Sequence, residues 1–99
     1  MAILAFITGK VSKAQYESLR KEGNMDNDAP NGLVFHAASF DASDHMHVAD
    51  VWETTEAMTA FLEKRLGPAM KKLGISQPES VVYPIHNVTA YKAIEKYRN

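Results

Sequence analysis

The sequence of 99 residues predicts a single α+β domain whose elements follow the order βαββαβ. Ala2–Thr8 is β-rich and apolar on both alternating faces, which is typical of a central strand covered on both sides. Two further β-rich segments form a hairpin in mid-chain, and a segment with helical periodicity lies on either side of that hairpin. This order folds most simply as the ferredoxin-like split βαβ unit, an antiparallel sheet with helices on one face.

The first helix is predicted to begin after Ser12 and to end near Gly23. Ser12 and Gln15 have the spacing of a capping box, and Val11 and Tyr16 occupy the two positions of a hydrophobic staple. Glycine is the usual residue just after a helix C-terminus, so Gly23 is expected to end the helix. A polar loop follows.

Leu33–Phe40 and His45–Glu53 are predicted to pair as the hairpin, joined by the turn-rich segment Asp41–Asp44. The sequence leaves the register open. A connection of odd length puts His36 on the same face as Asp50, whereas a connection of even length puts it on the opposite face, because strand side chains alternate.

Thr54 or Thr55 is expected to cap the second helix. Gly67 and Pro68 should break that helix, and Pro68 can open a further turn that continues to Gly74. The apolar face has helical spacing and consists of Met58, Phe61, Leu62 and Leu66.

Glu79–Ala90 is predicted as the fourth strand. Pro84 cannot donate to a central ladder, so this strand should lie at an edge or carry a bulge. Residues 91–99 are expected to form a short C-terminal helical tail. The sheet face without helices would keep apolar side chains, so we expect a second copy of the chain to cover it as a homodimer.

Composition excludes several classes of function. The formal net charge is −1 and no basic cluster is present, which argues against a nucleic-acid partner. The absence of cysteine excludes disulfides, thiolate metal sites and cysteine nucleophiles. Met1–Thr8 has the pattern of a first strand and not of a signal peptide. No apolar run approaches the ~20 residues of a membrane span, so we expect a cytoplasmic protein without a membrane partner.

Several polar residues fall in segments that otherwise have the pattern of core. His36 and His86 are candidate general acid–base groups or ligand anchors, and the alternative for each is a structural histidine. Asp50 and Trp52 point the same way along a strand, and a buried aspartate is costly unless it is paired. Alternatively, Trp52 is simply core and Asp50 bonds to backbone or to Arg65.

His45 and His47 have the spacing of a metal-binding pair, with Asp44 nearby. They lie at a turn, where exposed histidines are common, and no partners for the second ring nitrogens are evident. We therefore expect no metal at this pair.

Four segments carry a resemblance to a known family. Val48–Met58 resembles the antibiotic-biosynthesis-monooxygenase-like group of dimeric α+β barrels, whose pattern runs hydrophobic-x-acid-x-Trp, a polar cap, then Glu-Ala-hydrophobic. More narrowly, the chain is similar to a small uncharacterised bacterial branch with a histidine strand at His36–Ala38, a helix end at Arg65–Pro68 and a strand at Pro84–Asn87.

The resemblance implies a dimer whose sheets close into a barrel, with a ligand cavity between each sheet and its helices. Some members oxidise polyketide quinols without a cofactor, and others bind or degrade haem. Many members carry a histidine on the second helix about nine residues after the tryptophan, and this chain has Phe61 there. We therefore expect no haem and no other cofactor.

Together these observations predict a pocket for a small aromatic or phenolic molecule, in a protein that resembles a cofactor-independent monooxygenase. If the protein is an oxygenase, a histidine would deprotonate a phenolic substrate, Trp52 would line the pocket, and Arg65 or Asn87 would hold the substrate anion. At least three of the polar residues should line one cavity beside Trp52. The alternative is a non-catalytic ligand-binding or assembly module. The candidate catalytic residues are His36, His86 and Asp50, and the candidate ligand-binding residues are Trp52, Phe61, Arg65 and Asn87.

Overall fold

The computed structural model of the chain describes residues 1–98 and confirms the predicted order of elements. Asn99, the last residue of the expected tail, lies outside the described residues. Within this range, no helix has the length and apolar character needed to span a bilayer. The elements are β1 (Ile3–Gly9), α1 (Lys13–Glu22), β2 (Leu33–Phe40), β3 (Met46–Trp52), α2 (Thr55–Phe61), a π-helical turn (Leu62–Leu66), α3 (Gly67–Leu73), β4 (Glu79–Pro84) and a 3₁₀ helix (Lys92–Tyr97).

The four strands form one antiparallel sheet in the order β2-β3-β1-β4. The apolar first strand is therefore central and the proline-containing strand is an edge, as predicted. The buried core has two parts on the helix-covered face. One lies under α1 and α3 and the other under α2, next to Trp52. This is the ferredoxin-like α+β fold.

The N-terminus of α1 has the predicted capping box, with reciprocal bonds between Ser12 and Gln15. The helix ends at Glu22, next to Gly23 as predicted, but Gly23 does not take the left-handed conformation usual for a glycine after a helix. Gly23 keeps a right-handed conformation with φ −82°, and Asn24 takes the left-handed one with φ 53°. The N–H of Asn24 donates to Lys21 and that of Met25 donates to Arg20, which is the Schellman pattern with asparagine as its left-handed residue.

The second helix is not broken at Gly67 and Pro68, which corrects the prediction. Thr54 caps α2, and the helix runs on through the π turn into α3. The wider turn lets the N–H of Gly67 donate to the carbonyl of Leu62. Pro68 then lies in the first turn of α3, where its missing N–H costs little.

β4 ends at Pro84, short of the predicted end at Ala90. The N–H of Ile85 still donates to the carbonyl of Ala2, and pairing ends there. The following residues are exposed or partly exposed, and the tail forms only the 3₁₀ helix.

The sheet face opposite the helices exposes large apolar side chains, and we call it the open face. The strand alternation places Phe6 of β1 and Val81 and Tyr83 of β4 on this side, and Phe6 and Tyr83 contact each other edge-on. The second subunit expected to cover this face stays a prediction.

Candidate functional site

The hairpin register places His36 directly opposite Asp50. The strands resume pairing at Phe40 and Met46, so the connection runs from Asp41 to His45, one residue longer than predicted. The added residue makes the connection odd in length. His36 therefore lies on the helix-covered face, on the same side as Asp50.

Four side chains from three elements form one chain of hydrogen bonds on this face. His36 Nδ1 lies 2.6 Å from Asp50 Oδ1, and His36 Nε2 lies 2.6 Å from the hydroxyl of Tyr16 on α1. The indole N–H of Trp52 donates to Asp50 Oδ2 at 3.3 Å. We call these four residues the Tyr16–Trp52 network. It spans the gap between the two parts of the core.

The hydrogen bonds of the network all run toward Asp50. Indole N–H only donates, so Asp50 Oδ2 is an acceptor, and an ionised Asp50 also accepts at Oδ1 from His36 Nδ1–H. This assigns the neutral imidazole the tautomer with its proton on Nδ1. Its Nε2 is then the acceptor, and the hydroxyl of Tyr16 donates to it.

Burial differs sharply along the network. Asp50 is the one buried charged residue in the described range, and its side chain is 8% exposed, whereas that of His36 is 37% exposed. Trp52 is only 1% exposed. A buried carboxylate that accepts from the Trp52 indole is thus joined to a partly exposed imidazole.

Tyr16 lies in a mixed environment. Its ring is parallel to that of His36, with 5° between the planes, and contacts Phe40 edge-on. The guanidinium of Arg20 lies 5.8 Å from the Tyr16 ring centroid. Burial raises the pKa of the Tyr16 phenol above its usual value, although Arg20 acts in the opposite direction. Tyr16 is therefore a protonated phenol in the resting protein.

Phe61 and Arg65 lie near the site without joining the network. The Phe61 ring packs on Trp52 with centroids 5.4 Å apart, and the Arg65 guanidinium lies 5.6 Å from the Phe61 ring centroid. Arg65 donates to the carbonyls of Gly23 at 2.8 Å and Asp28 at 2.6 Å. It thus ties the second helix to the loop after α1, a structural use that the sequence did not predict.

His86 and Asn87 do not join His36 and Asp50, contrary to the predicted grouping. They follow the end of β4, both are exposed, and the Asn87 amide donates to Thr89. The reason is the early end of the strand at Pro84. The alternative in which Asp50 bonds to Arg65 is not observed, since the side-chain partners of Asp50 are His36 and Trp52.

Neither of two depressions on the described residues lies beside Trp52, where a cavity lined by at least three of five polar residues is expected. Those five are His36, Asp50, Arg65, His86 and Asn87, and their shared cavity stays a prediction. One depression of about 390 Å³ lies at the end of α1, lined by residues such as Arg20 and Asp26. Another of about 240 Å³ lies on the sheet between Phe6 and His47. Neither includes any of the five residues. The candidate site is therefore the exposed edge of His36 beside Tyr16.

The histidine pair at the hairpin turn behaves as a turn element. His47 bonds to Asp41 at 2.9 Å, and Asp41 also accepts from the backbone N–H groups of Ser43 and His45. Within residues 1–98, no three ligand-type side chains converge on a metal position.

Tyr16 is the member of the Tyr16–Trp52 network that the sequence analysis does not place at the candidate site. It was assigned only to a staple position, where it does pack against the core that holds Val11. A buried tyrosine usually finds a partner for its hydroxyl, and this requirement was the available signal.

No family model and no curated protein matches the sequence. Solved structures do match. The protein NE2512 of unknown function from Nitrosomonas europaea has a TM-score of 0.66 at 14% identity, over 91% of this chain and 94% of that one. A Deinococcus radiodurans protein, provisionally named an antibiotic biosynthesis monooxygenase, has a TM-score of 0.61 at 19% identity, over 92% and 98%. SnoaB, a cofactor-independent oxygenase from Streptomyces nogalater, has a TM-score of 0.60 at 16% identity, over 88% and 93%.

These likenesses cover nearly the whole of each chain, while the sequences have diverged widely. They confirm the resemblance stated from the sequence at the level of the fold. The chain has the fold of antibiotic biosynthesis monooxygenase structures.

Proposed function

We propose that this chain binds a small aromatic molecule with an acidic hydroxyl group, and that the His36–Asp50 pair accepts the proton of that hydroxyl. The observation that carries the proposal is the 2.6 Å contact between the buried Asp50 carboxylate and the partly exposed His36 ring. A carboxylate bonded to Nδ1 orients the imidazole and stabilises its protonated form. His36 is then a general base.

Deprotonation suits an oxygenation without a cofactor. A phenolate is electron-rich, and dioxygen can oxidise it to a quinone. In the balanced reaction one phenol and one dioxygen give one quinone and one water. One oxygen atom becomes the new carbonyl and the other leaves as water. The fold likeness to SnoaB, named as a cofactor-independent oxygenase, supports this finer proposal.

The other candidate residues take indirect roles in the proposal. Trp52 is almost fully covered, so it acts through its N–H on Asp50 and not as an exposed wall. Phe61 supports Trp52 from the helix side, and Arg65 holds the adjacent loop. Neither His86 nor Asn87 has a part in this mechanism.

A coloured phenol tests the proposal. At a pH below the pKa of free 4-nitrophenol, the protein should bind it as the yellow phenolate. His36→Gln should bind it with little phenolate, because the basic nitrogen is gone. A wild-type protein that yields no bound phenolate contradicts the proposal.

The second candidate is an assembly module, which the open face favours. Phe6 and Tyr83 are exposed there although both are large and apolar. Among the described residues, every buried side-chain polar atom has a hydrogen-bond partner. A purely structural network would give the same result. We propose that the open face pairs with a second copy of the chain, and both functions are compatible with such a homodimer. A cytoplasmic location stays a prediction.

A further inference from the structure

We propose that Tyr16 is the residue that contacts the ligand hydroxyl and passes its proton to His36. This inference rests on the proposed function and adds a proton-transfer residue to it. The ligand class it implies is a phenol or enol whose hydroxyl approaches the Tyr16 oxygen.

The first argument concerns the lone pairs. A neutral imidazole has one acceptor nitrogen, and in His36 this is Nε2 once Asp50 has fixed the proton on Nδ1. The Tyr16 hydroxyl already donates to Nε2 at 2.6 Å. A ligand hydroxyl therefore cannot donate to His36 while Tyr16 stays in place.

The second argument concerns the unused hydrogen-bond acceptor capacity of the Tyr16 oxygen. A phenolic oxygen donates one hydrogen bond and can also accept. Within residues 1–98, the Tyr16 oxygen has His36 as its hydrogen-bond partner and no other. Its acceptor capacity is therefore open to a ligand, and the Tyr16–His36 contact lies at the exposed end of the network.

The third argument concerns rigidity and charge. Tyr16 lies in the first turn of α1, where its N–H donates to the carbonyl of Ser12 at 2.9 Å and its ring packs on the core. The neighbouring Arg20 is paired with Asp26 at 2.6 Å and with Glu17 at 3.3 Å. A fixed phenol near a neutralised cation is suited to transfer a proton without holding a charge.

The transfer is balanced. The ligand O–H bond breaks and its proton bonds to the Tyr16 oxygen. The Tyr16 O–H bond breaks in the same event, and that proton bonds to His36 Nε2. The electron pair stays on the ligand oxygen, which leaves a ligand anion, a neutral Tyr16 and an imidazolium beside the Asp50 carboxylate. No oxidant is needed for this step.

The test uses the full chain and 4-nitrophenol, with phenolate absorbance followed after rapid mixing. Tyr16→Phe removes one oxygen and keeps the ring. We expect bound phenolate to form roughly 100-fold more slowly in Tyr16→Phe, the scale of a lost proton-transfer group. Tyr97→Phe, which removes the hydroxyl of an exposed tyrosine in the tail, should match wild type.

The variants separate the two proposals. We call the proposed proton transfer through Tyr16 the relay. If His36→Gln loses the phenolate and Tyr16→Phe keeps wild-type kinetics, the relay is overturned and the proposed function stands. Faster formation in Tyr16→Phe also overturns the relay, because Tyr16 would then merely compete for Nε2. Wild-type kinetics in His36→Gln, or no phenolate in wild type, overturns both.

A second measurement covers poor folding of Tyr16→Phe. Biosynthetic incorporation of 3-fluorotyrosine keeps the oxygen at position 16 and makes its proton more acidic. The relay predicts that phenolate forms at a different rate in the fluorinated protein than in the unfluorinated protein. Adding Tyr97→Phe to the fluorinated protein should leave its rate of phenolate formation the same. An unchanged rate in the fluorinated protein overturns the relay.

Discussion

His36 and Asp50 face each other across the antiparallel pair of β2 and β3, with Nδ1 2.6 Å from Oδ1. The relationship depends on the length of the hairpin connection. Asp44 takes a left-handed conformation with φ 59°, and its carboxylate accepts from the N–H of Lys13 at the start of α1. The turn that sets the register is thus also bonded to the helix that supplies Tyr16.

Replacing Asp50 by asparagine should destabilise the protein. Two donors, from His36 and Trp52, converge on this side chain, and an amide offers only one oxygen to them. We expect Asp50→Asn to lower the free energy of unfolding by about 1–3 kcal/mol in urea. Asp28→Asn, at an exposed aspartate, should change it by less than about 0.5 kcal/mol. Equal effects of the two substitutions would contradict the network.

Replacing Gly67 by alanine should destabilise the second helix, although alanine is the better helix former. A Cβ at this position would lie 2.7 Å from the carbonyl oxygen of Leu62, which the π turn brings close. We expect Gly67→Ala to cost about 1 kcal/mol or more in urea unfolding, where helix propensity alone predicts a gain of about that size. Glu63→Ala in the same turn is the control. Stabilisation by Gly67→Ala would argue against the π turn.

The hairpin turn should respond to acid through Asp41. Its bond to His47 and the backbone N–H groups of His45 and Ser43 lower the pKa of Asp41 from 3.8 to about 2. The contribution of this group to stability is therefore complete above its unfolded pKa and is lost as the pH falls toward 2. The difference in unfolding free energy between wild type and Asp41→Asn should shrink from pH 4 to pH 2. Carbon NMR of the Asp41 carboxyl measures the pKa directly, and an ordinary midpoint would contradict the turn geometry.

The open face should hold two copies together. Sedimentation at micromolar concentration should give twice the chain mass. Phe6→Glu should shift the protein to monomer, because a charge in the buried interface is costly. Leu73→Glu, at an exposed apolar residue of α3 on the helix side, should leave the mass unchanged. A monomeric wild type would end the dimer proposal.

Removing the tail separates two roles for it. If Tyr91 and Tyr97 pack on the second copy, truncation after Ala90 should weaken the dimer in sedimentation. Both are exposed in the single chain, so loss of their contacts within one subunit should cost little. Unchanged assembly would show that the tail is not part of the interface.

Local patterns were enough to predict the fold. The two-sided apolarity of β1, the capping box at Ser12 and the proline of β4 each report on a few neighbouring residues, and together they select one topology. The predicted C-terminal boundary of β4 was wrong because the alternating residues after Pro84 suit a strand. In the structure, the pairing of β4 with β1 does not continue beyond this point.

The candidate site was predictable only in part. The pairing of Asp50 and Trp52 on one face followed from alternation alone. The partner His36 needed the register, which one turn residue decides. Tyr16 and Arg65 needed contacts between residues far apart in the chain, since Tyr16 meets β2 and Arg65 meets the loop after α1. No spacing rule within one element reports such contacts.

The tautomer and charge of His36 test the central claim most directly. In nitrogen-15 NMR of the free protein, at a pH where the imidazole is neutral, we predict a protonated Nδ1 and a bare Nε2. Saturation with 4-nitrophenol should convert His36 to an imidazolium with both nitrogens protonated, while the ligand turns to phenolate. A free protein with the proton on Nε2, or a ring that stays neutral at saturation, would contradict the account of His36 as the base.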